Sequence, residues 1–328
     1  MSQPIVFLVN RTDSIDASST TSALIAEALA TGREVVVADV LHLRVAAGQR
    51  VWVDGQLVDP ARHQRLPDPK TLNLPSARVR LELKDTAAVV VRTSPGRDEG
   101  YAWAHRFAMQ ALALSQAAGV RVVNDPIGLA KASSKLYSAC LPPEFTPRTL
   151  ITRSYEATQG FVRSLGEAAV IKPLIGSGGR DIFFVDGHEA ENLEQICTLL
   201  GRSGYFVVQE YLPDVEDGDF RVLLLDGKVL ELDGEQAVVH RVPKLGQFRS
   251  NVSMGAKAKP GYLADGQAEV ANQVAKQILE DGIRLAGLDM VGECILEVNV
   301  FSTGGLNDAD RFFHRNFTRH VLDTLLSS

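Results

Sequence analysis

Cysteine is scarce in this chain, and Cys140, Cys197 and Cys294 are not spaced as pairs. Each lies among apolar residues, which favours reduced structural thiols over disulfides or a zinc site. Long apolar segments are missing as well, and the first residues lead without a basic segment into a short apolar run. We therefore expect neither a signal peptide nor a membrane span, and a cytoplasmic protein.

An excess of positive charge is also absent. The 328 residues include 34 Lys and Arg against 40 Asp and Glu, a formal net charge of −6. Nucleic acids and anionic membranes select clustered basic residues, so this balance argues against both partners. Anionic small substrates stay possible, because a local cationic pocket can lie within an acidic protein. The composition is 45% hydrophobic, which suits two or three packed units.

Two nucleotide-binding signatures are missing. No G-x-G-x-x-G follows the first predicted strand and no G-K-[ST] closes the central glycine-rich segment, so neither a dinucleotide fingerprint nor a Walker A loop is present. That segment instead has Lys172 at the end of an apolar strand, followed by Gly176, Ser177, Gly178 and Gly179. Glycine lets backbone N–H groups approach phosphate oxygens and lysine supplies a cation, which predicts a cover for polyphosphate. A structural turn is the alternative.

Three oxygen-bearing side chains interrupt an apolar hairpin near the C-terminus. Glu297 and Asn299 share one face of the second strand, because side chains alternate along a strand. Asp289, on the first strand, reaches that face only if the turn has an odd number of residues or a bulge, and we predict such a turn. The converged set would suit Mg²⁺, which takes one or two carboxylates together with substrate phosphates. A solvated hairpin face is the alternative.

The N-terminal third alternates strands and helices in the pattern of a βαβ unit. We predict strands at 5–9, 34–39, 87–92 and 121–123, and helices at 20–30 and 99–118. An Asp-Gly pair predicts a hairpin at 51–58, and the order between 64 and 83 stays open. The polar loop 92–98 follows a buried parallel strand, the edge at which open α/β sheets usually bind ligands.

The middle of the chain opens on a helix. Asp125 is a cap residue and Pro126 suits the first turn, so a helix begins there, carries Lys135 and ends at Pro142. A small α+β unit follows over 146–204, and we expect the next strand to open a third unit.

Three arginines follow in the third unit. Arg221 and Asp219 share one face of a predicted strand that leads into an Asp-Gly turn. Arg241, Arg249 and Asn251 lie on later strand or loop segments. Planar guanidinium groups suit carboxylate and phosphate oxygens, whereas surface charge is the alternative for each. Helices at 265–282 and 308–326 complete the prediction.

Together these segments resemble the ATP-grasp superfamily, and specifically its prokaryotic glutathione synthetases. The likeness covers nearly the whole chain and is most specific over residues 124–305. The matching segments are 124–126, 134–137, 171–180, 209–213, 218–221, 240–243, 249–251, 287–289 and 297–299.

The resemblance implies an α/β (α+β) ATP-grasp fold in three domains, with ATP held between two sheets. These are an N-terminal Rossmann-like (pre-ATP-grasp) substrate domain over 1–124, a central lid domain over 125–204 and a C-terminal ATP-grasp domain over 205–328. It also implies ATP with Mg²⁺ or Mn²⁺, small amino acid or dipeptide substrates, and a homo-oligomer, either a dimer or a tetramer.

The resemblance implies roles for individual residues. Cofactor contacts would come from Lys135 and Lys172 on phosphates, Gly176, Ser177, Gly178 and Gly179 in the lid loop, Glu210, Tyr211 and Leu212 on adenine, and from Gln209 and Asp219. The metal would be held by Asp289, Glu297 and Asn299. The catalytic set would be Arg221, Arg241, Arg249 and Asn251, beside a substrate loop of Ser302, Thr303, Gly304 and Gly305.

The family chemistry transfers the γ-phosphoryl group of ATP to a carboxylate, and an amine then displaces phosphate to leave an amide. Such a site works by positioning and charge neutralisation. The implied substrates are γ-glutamylcysteine and glycine. Segments 10–15 and 301–306 depart from the family pattern, so a ligase for another carboxylate and amine is the first alternative. A nucleotide-binding module without turnover, which the complete metal set disfavours, and a modifier of protein tails are the others.

Overall fold

The computed structural model describes residues 3–16, 18–58, 77–176, 178–186, 192–243 and 255–327. They form three main sheets flanked by helices, so the α/β class is confirmed. Within these ranges no helix is long and apolar enough to cross a membrane. All three cysteines are free. Cys197 is buried, but Cys140 is exposed, so the expectation of apolar surroundings for each cysteine is wrong.

The N-terminal part forms a six-stranded sheet with the order β4-β3-β2-β1-β5-β6. Its strands are β1 (Ile5–Val9), β2 (Val35–Ala46), β3 (Arg50–Leu57), β4 (Arg78–Glu82), β5 (Ala88–Arg92) and β6 (Val122–Val123). β1 pairs in parallel with β2 and β5, and β5 with β6. The crossovers are α1 (Thr20–Ala30) and α2 (Ala102–Ala117), which confirms the βαβ pattern.

The predicted hairpin at 51–58 is wrong, because β3 extends through its Asp-Gly pair. The turn lies earlier, between β2 and β3, where Gly48 and Gln49 have positive φ values of 78° and 59°. A Cβ on Gly55 would come 2.6 Å from Val36 Cγ1 and 2.9 Å from the Val37 carbonyl oxygen. Glycine at this position therefore allows close strand packing instead of making a turn.

The helix that begins after Asp125 is shorter than predicted. In α3 (Pro126–Lys131), the Asp125 carboxylate accepts hydrogen bonds from the backbone N–H groups of Ile127 at 2.8 Å and Gly128 at 3.0 Å. Lys135 lies outside this helix, in a separate 3₁₀ segment, Lys135–Cys140. The Ser134 hydroxyl accepts from the N–H of Leu136, which caps a new start and separates the two segments.

The central sheet has four strands in the order β7-β10-β8-β9. They are β7 (Thr149–Thr152), β8 (Ala169–Pro173), β9 (Phe183–Val185) and β10 (Phe206–Glu210), with α4 (Tyr155–Leu165) and α5 (Leu193–Gly201). The sequence assigns β10 to the third unit, but its antiparallel hydrogen bonds to β7 and β8 place it in this sheet. The division into domains at residues 124 and 204 stays a prediction.

The C-terminal sheet has the order β16-β15-β11-β17-β18, with β12 paired to β11. Its strands are β11 (Asp219–Leu225), β12 (Lys228–Val229), β15 (Val238–Val242), β16 (Lys257–Pro260), β17 (Leu285–Val291) and β18 (Cys294–Asn299). A separate two-stranded ribbon joins β13 (Glu231–Leu232) and β14 (Glu235–Gln236). The predicted Asp-Gly turn is confirmed, since Asp226 and Gly227 have φ values of 46° and 78°.

Helix α6 (Asp265–Glu280) precedes β17 close to the predicted range. The predicted closing helix at 308–326 is wrong as a single helix, because it divides into α7 (Leu306–Phe313) and α8 (Phe317–Ser327). His314, between them, has a φ of 51°, a left-handed conformation that ends α7.

Asn124 connects the N-terminal sheet to the C-terminal hairpin. Its buried amide donates to the carbonyl oxygens of Leu285 and Val300, each at 2.8 Å. Its side-chain oxygen accepts from the backbone N–H groups of Arg284 at 3.0 Å and Leu285 at 2.9 Å. Such a fully bonded buried amide fixes the hairpin against the first sheet.

Candidate active site

A β-bulge brings the predicted metal ligands together. The turn between β17 and β18 has two residues, 292–293, which alone would put Asp289 and Glu297 on opposite faces. The register shifts between Asp289 and Met290, so that Asp289 lies directly opposite Glu297. The extra residue is Leu296. The prediction of a three-residue turn or a bulge is therefore confirmed by the bulge, and both carboxylates lie on one face.

Asp289 lies at the centre of a buried network of charges. The Arg221 guanidinium donates to its two oxygens at 2.6 and 3.1 Å. Arg241 lies 3.0 Å from one of the same oxygens and forms a two-bond pair with Asp219. The Asn299 amide donates to Asp289 at 3.3 Å. Two predicted catalytic arginines thus already have carboxylate partners.

The charges in this network support one another. Burial opposes ionisation of Asp289, but Arg221 and Arg241 outweigh it and hold the pKa of this carboxyl below its usual range. Burial also opposes the charge on Arg241, yet Asp289 and Asp219 raise the pKa of its guanidinium. Asp289 and Arg241 are therefore charged at neutral pH. A metal ion bound to Asp289 would compete with the arginines for the same oxygens.

Lys172, at the end of β8, is a buried cation that donates a hydrogen bond to Gln209 Oε1 at 2.9 Å. Gln209 in turn donates to the Thr149 hydroxyl at 3.0 Å. Burial lowers the pKa of Lys172 to about 8, with Glu297 opposing and Lys135 reinforcing the shift. A phosphate beside this ammonium would favour its charged form.

Lys135, in the 3₁₀ segment, contacts the β17–β18 hairpin, which contains the candidate metal ligands Asp289, Glu297 and Asn299. Its ammonium lies 3.5 Å from Glu297 Oε1 and donates to the Gly176 carbonyl oxygen at 3.1 Å. Gly178 and Gly179 follow with φ values of 72° and 75°, a backbone conformation that favours glycine. One lysine therefore contacts both the glycine-rich loop and a candidate metal ligand.

Most of the predicted residues surround one cleft with a volume of about 320 Å³. The predicted residues that line it are Lys135, Gly176, Gly178, Arg221, Arg241, Asp289, Glu297, Asn299, Ser302, Thr303, Gly304 and Gly305. Asp219 adjoins this set through its contact with Arg241, and Lys172 through its electrostatic interactions with Glu297 and Lys135. The glycine-rich segment and the hairpin, far apart in sequence, thus face each other.

The segment predicted to hold adenine is not part of that lining, as far as the described residues show. The backbone N–H groups of Glu210 and Tyr211 donate to the carbonyl oxygens of Arg148 at 2.9 Å and Ala168 at 3.0 Å. The fold therefore uses these two donors, and an adenine edge would have to meet other groups, such as those of Leu212. Predicted residues Ser177, Arg249 and Asn251 lie outside the described residues.

The N-terminal sheet supplies a wall that the sequence indicated only as a ligand-binding edge. Residues 94–97 line the cleft. Asn10 fixes this loop, because its amide donates to the Ser94 carbonyl oxygen at 2.9 Å and its side-chain oxygen accepts from the Ser94 N–H at 2.6 Å. A Cβ on Gly96 would lie 2.9 Å from the carbonyl carbon of Gly176. The loop therefore touches the glycine-rich segment.

Arg92, which sequence reasoning gave no role, holds the substrate loop. It is buried and donates to the Thr303 carbonyl oxygen at 2.8 Å and to the Thr21 hydroxyl at 3.1 Å. Arg221 donates to the neighbouring Gly304 carbonyl oxygen at 3.2 Å. Burial lowers the pKa of Arg92 to about 10. An arginine at the end of a parallel strand was the only sequence signal for this contact.

Comparison with known families decides the assignment. The N-terminal domain of prokaryotic glutathione synthetase matches residues 4–129, and the ATP-grasp domain of prokaryotic glutathione synthetase matches residues 134–314. The chain belongs to the prokaryotic glutathione synthetase family. It is an ATP-dependent carbon–nitrogen ligase, as predicted, and its family uses ATP and divalent metal ions.

Glutathione synthetases from several bacteria are similar over much of the chain. That of Synechococcus elongatus is 31% identical over 315 residues, 94% of this chain and 93% of the relative. That of Thermosynechococcus vestitus is 30% identical over an alignment of 337 residues, which covers 98% of this chain and 99% of the relative. That of Xanthomonas campestris is 36% identical over 218 residues, 66% of each chain.

Solved ATP-grasp ligases share the fold. PsnB complexed with minimal precursor has a TM-score of 0.62 at 21% identity, covering 100% of this chain and 99% of its own. D-cycloserine synthetase DcsG has a TM-score of 0.65 at 15% identity, covering 98% and 99%. D-alanyl-alanine synthetase A from Vibrio cholerae has a TM-score of 0.62 at 13% identity, and the match covers 100% of both chains. The predicted ATP-grasp fold is confirmed.

The residues of the hairpin fit a divalent ion. Asp289, Glu297 and Asn299 offer two carboxylates and an amide oxygen on one face of the sheet. Among the described residues there is no group of three or more His, Cys, Asp and Glu side chains that could hold a metal alone. The set therefore suits an ion that takes its remaining ligands from phosphate and water.

Proposed function

We propose that this protein joins γ-glutamylcysteine to glycine with Mg²⁺-ATP and so acts as a glutathione synthetase. The observation that carries the proposal is the bulged hairpin, which directs Asp289 and Glu297 to one face beside Lys135. Glutathione synthetases that match more than nine-tenths of the chain support the choice of substrates.

In this mechanism Lys135 and Lys172 hold the phosphates of ATP beneath the glycine-rich loop. Asp289, Glu297 and Asn299 would hold Mg²⁺, for which Mn²⁺ can substitute, and the ion would neutralise phosphate charge during transfer. Adenine would lie along the segment Glu210, Tyr211 and Leu212, with its edge on groups other than the bonded N–H groups of Glu210 and Tyr211. No side chain here needs to act as a covalent nucleophile, because positioning and charge supply the rate enhancement.

The donor carboxylate attacks the γ-phosphorus of ATP, ADP leaves, and an acyl phosphate forms. The amine of glycine then attacks the acyl carbon, phosphate leaves with the former carboxylate oxygen, and the amine loses a proton. Arg221 and Arg241 would neutralise the acyl phosphate, each exchanging part of its bonding with Asp289 for the intermediate. Arg249 and Asn251 stay predicted members of this group.

The loop Ser302, Thr303, Gly304 and Gly305 would hold the donor, since Arg92 and Arg221 fix its carbonyl groups from two sides. Its departure from the family pattern keeps one second candidate, a ligase for another carboxylate and amine. Small-molecule substrates, a homo-oligomer of two or four chains and a cytoplasmic location stay predictions.

The test is ATP-dependent release of ADP and phosphate over a panel of amino acids and γ-glutamyl dipeptides with Mg²⁺. We expect the highest kcat/KM for γ-glutamylcysteine with glycine, and mass spectrometry should identify glutathione. Amide formation only with other pairs would replace this assignment by the second candidate. Absence of ADP release with every pair would contradict both.

A further inference from the structure

The cations that line the cleft differ in whether they have partners. Arg221 and Arg241 are paired with Asp289 and Asp219, and Lys135 lies beside Glu297. Arg97 also lines the cleft and is exposed. Across the described ranges no carboxylate forms an ion pair with it. Arg97 is thus a cation that faces the cleft without a carboxylate partner in the part of the chain that the structure describes.

The backbone at Arg97 is held in place although its side chain is not. The Arg97 N–H donates to the Ser94 carbonyl oxygen at 3.1 Å and the Asp98 N–H donates to the Pro95 carbonyl oxygen at 3.0 Å. Asn10 fixes Ser94 with two hydrogen bonds. Because the backbone is already fixed, only the side chain of Arg97 has to lose conformational freedom when its guanidinium binds a carboxylate.

The location of Arg97 indicates which ligand it meets. Its charge is close enough to Arg92 to disfavour the charge on that residue, and Arg92 donates directly to the substrate loop at Thr303. The loop of Arg97 also touches Gly176 of the glycine-rich segment, but there Lys135 and Lys172 are the cations proposed to bind phosphate. Arg97 therefore lies on the wall of the cleft that holds the donor.

We propose that Arg97 forms a carboxylate-binding subsite for a second, non-reacting carboxylate of the donor. This inference rests on the proposed function and deepens it. γ-Glutamylcysteine has two carboxylates, one of which becomes the acyl phosphate while the other stays on the α-carbon of the glutamyl residue. The planar guanidinium can take that second group with two parallel hydrogen bonds. The donor class is therefore a dicarboxylate.

The experiment compares two donors that differ in this group alone, γ-glutamylcysteine and γ-aminobutyryl-cysteine, with glycine and Mg²⁺-ATP. For the wild-type protein, removal of the α-carboxylate should lower kcat/KM roughly 10- to 100-fold, the size expected for a hydrogen-bonded charge. In Arg97→Gln, kcat/KM for γ-glutamylcysteine should fall by a similar factor, with little further loss on the analogue. KM for ATP should not change.

Two variants serve as controls. Arg106→Gln removes an exposed arginine from α2 that does not line the cleft, and it should keep the full difference between the donors. Arg97→Lys should restore part of the lost kcat/KM, because a cation returns without the planar fork.

Three results would overturn the subsite. Arg97→Gln could leave the difference between the donors intact, could lower kcat/KM for both donors equally, or could raise KM for ATP instead. In each of these cases the wild-type protein still makes glutathione, so the proposed function stands. If the wild-type protein uses neither donor, the proposed function fails and the subsite with it.

Discussion

The two walls of the cleft hold their charges in different ways. On the C-terminal sheet, Asp219, Arg221, Arg241 and Asp289 form a buried network on strands, in which each charge has an opposite partner. On the N-terminal sheet, Arg97 stands exposed on a loop without an ion pair among the described residues. The first arrangement suits chemistry common to every turnover, and the second suits recognition of a particular donor.

Removal of one partner from the buried network should have the largest effect. Arg241→Ala leaves two buried carboxylates with less compensation, so we expect the free energy of unfolding to fall by about 3–5 kcal/mol. Urea unfolding followed by circular dichroism measures this. Arg163→Ala, at an exposed position on α4, should change stability by less than about 0.5 kcal/mol. Equal effects of both variants would contradict the comparison.

Loss of a metal ligand should reduce activity but leave the fold intact. Glu297 is partly exposed and has Lys135 as its ion-pair partner. Glu297→Gln should lower kcat at least roughly 100-fold, about 2.7 kcal/mol, while the melting temperature stays close to wild type. Steady-state ADP release and thermal unfolding measure the two quantities. Near-normal kcat at saturating Mg²⁺ would remove Glu297 from the metal site.

Loss of the buried lysine should weaken nucleotide binding. Lys172→Ala should remove the proposed charged hydrogen bond to phosphate and so weaken ATP binding by about 2 kcal/mol or more. Calorimetric titration of the protein with Mg²⁺-ATP gives the change in Kd. Lys276→Ala, at an exposed position on α6, should bind ATP like the wild type. An unchanged Kd for Lys172→Ala would return the glycine-rich segment to a purely structural turn.

The pH dependence of ATP binding should be the smallest of these effects. Because burial lowers the pKa of Lys172 to about 8, the free protein loses this cation as pH rises from 7 to 9. Kd for ATP should increase by up to about tenfold over that range. In Lys172→Arg the increase should be much smaller, since arginine stays charged.

The same lowered pKa has the opposite effect on stability. Above pH 8 the unfolded chain binds more protons at Lys172 than the folded protein does, so this residue makes folding more favourable as pH rises toward 10.5, its ordinary pKa. Unfolding measured at pH 7 and 9 should separate this trend from ATP binding. A tighter Kd at pH 9 than at pH 7 would contradict the assigned role.

The predictions from the sequence are correct where the residues of one segment determine its secondary structure by themselves. The strand Ile5–Val9 and the helix Thr20–Ala30 have the predicted bounds, because hydrophobic periodicity is a property of the segment itself. Convergence of Asp289 and Glu297 required either an odd-numbered turn or a bulge, and the structure has a bulge. A family resemblance extended this to the fold and to the reaction class.

The predictions from the sequence are wrong or incomplete where a contact with a residue far away in the chain determines the local structure. Gly55 allows β3 to pack closely against β2 and does not form a turn. Strand β10 belongs to the central sheet because it forms antiparallel hydrogen bonds with β7 and β8. Neither choice is visible in a single segment. The same holds for Arg92, whose contact with Thr303 joins residues more than 200 positions apart.

Transfer of oxygen from the donor to phosphate tests the central claim most directly. We expect γ-glutamylcysteine with ¹⁸O in its cysteinyl carboxylate, incubated with glycine and Mg²⁺-ATP, to release phosphate that contains one ¹⁸O atom per turnover. Mass spectrometry of the phosphate and of the glutathione measures both products. Unlabelled phosphate accompanied by amide formation would show that the carboxylate is not activated as an acyl phosphate, and would contradict the account.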